Sequence, residues 1–82
     1  MKILIDERAY EGSATEIMEQ LRQQTFDPSE YPDTESYIYQ LRSNFIRATD
    51  LDCPLPESGV ERQARTMFAH LATAGALMIL EE

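Results

Sequence analysis

Positive charge is scarce in this chain. Fifteen acids face seven bases over 82 residues, a net charge of −8, and the only lysine is Lys2. A protein that grips a phosphate backbone needs clustered Lys and Arg, so direct nucleic-acid binding is not expected. An anionic membrane surface is disfavoured for the same reason. Cysteine is nearly missing, and a lone Cys53 forms no intramolecular disulfide. Long apolar runs are missing too. After Met1-Lys2 the first is only "ILI", unlike a signal peptide, and "ALMIL" near the end falls far short of the ~20 residues of a membrane span. The default reading is a soluble protein of a reducing, cytoplasmic setting.

The familiar catalytic patterns are also lacking. There is no G-x-S-x-G, no Gly-rich phosphate loop and no H-E-x-x-H. One His and one Cys do not make a typical zinc site. In "DLDCPLP" the carboxylates beside Cys53 disfavour its thiolate. His70, the single histidine, falls on the margin of a helical apolar face and reads as packing. No catalytic residue, metal or cofactor is therefore assigned.

What remains is an ordinary share of apolar residues, 43%, too many for a disordered tail and suited to one small globular domain, residues 1–82. "ILI" reads as a short buried strand and "RAYE" as its hairpin partner, although the Asp6-Glu7 break lacks the Gly or Asn of a tight turn and leaves the loop length open. "GSATEIMEQLRQQ" reads as a helix. Ser13 and Glu16 form a capping box, and Ala14, Ile17, Met18 and Leu21 make one stripe.

"DTESYIYQLRSNFIRAT" reads as a second helix, capped by Asp33 or Thr34. Its stripe of Ile38, Leu41, Phe45 and Ala48 is widened by Tyr37 on one side and by Tyr39 with Ile46 on the other, more than a surface helix needs. Ser58 and Glu61 read as a second capping box, opening a third helix with Val60, Ala64, Met67, Phe68 and Leu71 inward. Gly75 suits that helix's end, and "ALMIL" closes as a strand. The expected fold is α+β in the order ββαααβ. Its small three-stranded sheet has the first strand between the hairpin partner and the last strand.

Two candidate surfaces follow. Both "ILI" and "LMIL" are apolar without alternation, whereas a half-covered strand should alternate. If the helices cover one face, Leu4 and either Met78 or Leu80 lie on the other and mark an association site, most simply a homodimer. Tyr39 and Ile46 are candidates on the second helix, either core or contact. The acids give the other surface. Many sit at helix starts, where the helix dipole favours them. "FDPSEYPDTESY" lacks the alternation and the glycine of a calcium loop, and its second half reads as the run-up to a helix. The loop acids Asp27, Glu30, Asp50, Asp52 and Glu57 are not explained that way. On one side they would form a negative face able to mimic a phosphate backbone.

The leading reading is a small acidic, non-enzymatic interaction or regulatory module of bacterial or phage origin, with a protein partner or a second copy of itself. An acidic mimic of nucleic acid is second. A small enzyme using carboxylates is third.

Overall fold

The computed structural model describes residues 1–25 and 31–82. The elements are β1 (Lys2–Ile5), β2 (Arg8–Glu11), α1 (Ala14–Gln23), α2 (Thr34–Thr49), α3 (Val60–Thr73) and β3 (Met78–Glu81). The sheet order is β2-β1-β3, and β1 is antiparallel to both neighbours. This is the expected ββαααβ order with the first strand central.

The hairpin turn is tight. Ile5 pairs with Arg8, so Asp6 and Glu7 alone reverse the chain, at φ 49° and 69°. Both occupy the left-handed region that a type I′ turn demands, without the Gly or Asn that adopts it cheaply. The register is set from the strands: Ile3 and Tyr10 are a buried pair on the core side, and a shift of one residue would turn them outward.

α1 begins as expected. Ser13 accepts from the Glu16 N–H at 3.0 Å, and the Glu16 carboxylate accepts from the Ser13 N–H at 3.0 Å. Asp33 starts α2 by accepting from the Ser36 N–H at 2.8 Å. Ala48, placed on the α2 stripe by periodicity, is exposed, because Phe45 is the last residue of that helix buried in the core.

α3 departs from the expected capping box. Its N-cap is Gly59, at φ 92°, with no side-chain cap. The Glu61 carboxylate reaches across to α1 instead. It accepts from the Ala14 N–H at 3.2 Å, the Thr15 N–H at 2.9 Å and the Thr15 hydroxyl at 2.8 Å. The start of α1 offers three donors and a positive helix end, more than Glu61's own helix start would. The other end of α3 is regular. Gly75, at φ 83°, donates to the Ala72 carbonyl, and the Ala76 N–H donates to Leu71, the paired bonds of a Schellman motif.

The core lies between the sheet and the helices. Ile3 comes from β1, Ile17 and Met18 from α1, Ile38 from α2, and Met67 and Phe68 from α3, all fully buried.

Candidate functional site

The two sides of β1 have different fates. Ile3 is in the core and Ile5 packs against it, while Leu4 points to the opposite face and does neither. Leu4 is paired with Ala9 on β2 and with Met78 on β3. Met78 is 61% exposed and Leu80 45%, and neither packs against the core. The helices therefore leave this face of the sheet open. The β1–β3 register slips between Lys2 and Ile3: Ile3 pairs with Ile79 and Lys2 with Glu81, so Leu80 is an extra residue. Met78 and Leu80, two apart on one strand, share a face by alternation, so both are bared where only one of them was expected. Lys2, paired also with Glu11, stands with Glu81 at the charged end of an otherwise apolar face.

The α2 candidates divide. Ile46 is half-buried and packs against the core. Tyr39 is 41% exposed, and its hydroxyl takes a long bond, 3.4 Å, from Gln63 Nε2. Both belong to the helical side of the sheet, away from Leu4 and Met78.

Of the acidic-face candidates, Asp27 and Glu30 lie outside the described residues. Asp50, Asp52 and Glu57 are exposed. Asp50 ends α2 in a left-handed conformation, and Asp52 accepts from the Cys53 N–H at 2.9 Å. Tyr31 meets the Tyr37 ring edge-on, with centroids 5.4 Å apart.

Other acids have structural partners. Glu19 holds Arg22 through both oxygens, at 2.9 and 2.6 Å, and accepts from the Thr34 hydroxyl at 2.7 Å. It thus ties α1 to the start of α2. A groove of about 340 Å³ is lined by Thr15, Asp33, Thr34, Glu35 and Val60, the first turns of all three helices and the α2 cap. Three positive helix ends meet there, which is a physical reason for acids to gather.

The ionisation of these groups follows. Bonds from the Ser13 backbone and hydroxyl lower Glu16, and those from Ser36 lower Asp33. Arg22, then Thr34 and Gln23, hold Glu19 at about 2. Burial pushes Glu61 up, but the bonds from Thr15, Arg65 and Ala14 together outweigh it and hold it at about 2. A carboxyl kept for acid–base work at neutral pH is shifted the other way. These four are held as anions.

Cys53 and His70 are bound into the packing. Cys53 is fully buried, its Sγ 3.8 Å from the Met67 sulfur. Burial pushes its thiol up, Arg42 opposes this and Asp52 adds to it. His70 Nε2 lies 2.9 Å from the Pro54 carbonyl, and its ring is 6.1 Å from that of Phe45.

Gln63 was not singled out from the sequence. It is fully buried, donates to the Pro56 carbonyl at 3.0 Å, and leaves Oε1 without a partner. Its position, three after Val60 and four before Met67, is the signal that places it on the buried stripe.

Among the described residues no three His, Cys, Asp or Glu side chains are grouped as a metal ion needs, and no helix is long and apolar enough to cross a membrane. Comparison of the chain with known protein families, curated proteins and solved structures finds no match.

Proposed function

We propose that this chain is a small acidic, non-enzymatic protein-interaction module whose contact surface is the outer face of its sheet. The observation that carries the reading is the exposure of Met78 and Leu80 beside the half-buried Leu4, none of which packs against the core among the described residues. Large apolar side chains gathered on one open sheet face favour association over continued exposure to water. The mimic reading keeps Asp50, Asp52 and Glu57, which are exposed, but Asp50 closes α2 and Asp52 accepts from the Cys53 N–H, so two of these acids have local structural roles.

The test is affinity purification from the native host with the full chain and its Met78→Glu/Leu80→Glu variant. Both substitutions fall at exposed positions, so the thermal melt should be nearly unchanged. A partner held by the original chain and lost by the variant is the expected result. If the variant keeps every partner, the outer face is not the contact surface.

A further inference from the structure

We infer that the occupant of the outer sheet face is a second copy of this chain, stacked face to face, and that this dimer tightens as salt is added. The inference rests on reading that face as the contact surface. Three observations select a second copy.

Charge is the first. The chain carries −8, yet the outer face carries one positive charge, Lys2, and two negative ones, Glu11 and Glu81, around its apolar centre. A basic partner drawn by the net charge would seat on the acid-rich surfaces elsewhere. This face holds little of that charge and displays the chain's only lysine.

The second is self-complementarity. Leu4 lies opposite Met78, and Lys2 opposite Glu81, across β1 and β3. A two-fold axis running along the strands between β1 and β3 exchanges those places. Leu4 then rests on Met78 of the second copy, and Lys2 meets Glu81 of the second copy. Apolar meets apolar and opposite charges meet, with the strands of the two sheets aligned as in ordinary sheet stacking.

The third observation separates stacking from edge pairing. β3 is an edge strand, but the extra residue Leu80 breaks its regularity and Glu81-Glu82 close it. Bulges and terminal charges are devices that discourage edge-to-edge pairing. At β3 the face is open where the edge is guarded; β2, the other edge, lies outside the overlap of the two copies. That overlap is also small. The two strands that overlap, β1 and β3, four residues each, span roughly 10 by 13 Å, well under the ~800 Å² per partner of a standard stable interface. The dimer is accordingly a weak one, exchanging with monomer.

Two chains of −8 repel each other at long range, and screening shortens that repulsion to a few ångströms at high salt. Salt therefore strengthens this dimer, whereas it weakens attraction to a basic partner. Sedimentation velocity of the full chain in about 20 mM and then about 500 mM sodium chloride reads the sign directly. The expected result is a dimer fraction that rises with salt, the Kd falling roughly tenfold across that drop in Debye length. The Met78→Glu variant should stay monomeric in both, which separates this face from general salting-out.

Association that weakens with salt, or that survives both Met78→Glu and Leu80→Glu, overturns the inference. So does a chain that remains monomeric in high salt at millimolar concentration. In that last case a host partner still lost on Met78→Glu/Leu80→Glu leaves the contact surface standing with a different occupant. A partner retained by that variant removes both.

Discussion

Ile3 and Leu4 are neighbours in one strand and nearly the same side chain in size and apolarity, yet the fold uses them oppositely. Ile3 is sealed among helices, and Leu4 stands with Met78 on a face that no helix covers. The inner face of the sheet builds the domain. The outer face has the same chemistry and contributes little to it. Apolar character alone therefore does not mark the core here. What decides is which side the three helices close.

The sharpest way to break this comparison is to truncate both sides. Ile3→Ala should destabilise the fold by about 2–5 kcal/mol, as buried large-to-small changes do, read by urea unfolding. An effect under about 1 kcal/mol would mean the inner face is not tightly packed.

Next in size is the bond set that closes the inner side. Glu61→Gln removes the charge that joins α3 to the start of α1 and should lower stability by about 1 kcal/mol, whereas Ser58→Ala should change little. Equal losses from the two would restore a local capping box at Glu61.

Acid reads the same bonds without mutation. Glu19 and Glu61 are both held at about 2, below their ordinary 4.5, so the folded chain binds protons there less readily than the unfolded one. Their contribution is complete above pH 4.5 and is lost as pH falls from there towards 2. A thermal melt should fall through that window, and by less in Glu61→Gln. A melt that stays flat between pH 5 and 2.5 would contradict the bonding described.

The smallest effect belongs to the outer face. Met78→Ser should alter the monomer's stability by no more than about 0.5 kcal/mol, because that side chain is already mostly in water. A core-sized loss would show that the face is covered within the chain.

Much of the fold was legible because its signals are local. Ser13 with Glu16, Asp33 before Ser36, and Gly75 after Thr73 each mark a helix end through partners a few residues away. The order of strands followed from the two most apolar segments seeking each other. Glu61 shows where local reading stops. "SGVE" has the spacing of a capping box, but its carboxylate finds better donors at Ala14 and Thr15, far off in sequence. The Asp6-Glu7 turn is similar: Asp6 tolerates a left-handed bend, but nothing in Glu7 asks for one, and the paired strands impose it. The candidate face was only half legible. An apolar triplet such as "ILI" has no alternation, so it cannot say which residue turns inward. That Met78 and Leu80 share a face follows from alternation, but which way that face turns follows only from pairing with β1.

The cross-helix grip of Glu61 also bears on the order of events in folding. Its partners are 46 and 47 residues away, so the bonds form only after α3 has docked on α1. The start of α1 carries its own Ser13–Glu16 box and can form earlier, on its own residues alone. The carboxylate is therefore expected to act as a latch thrown late, after the folding barrier. Removing it should leave the refolding rate nearly untouched and hasten unfolding, the pattern of an interaction absent from the transition state. Stopped-flow unfolding of Glu61→Gln would show this, and a slowed refolding limb would instead place the docking of α3 at the start.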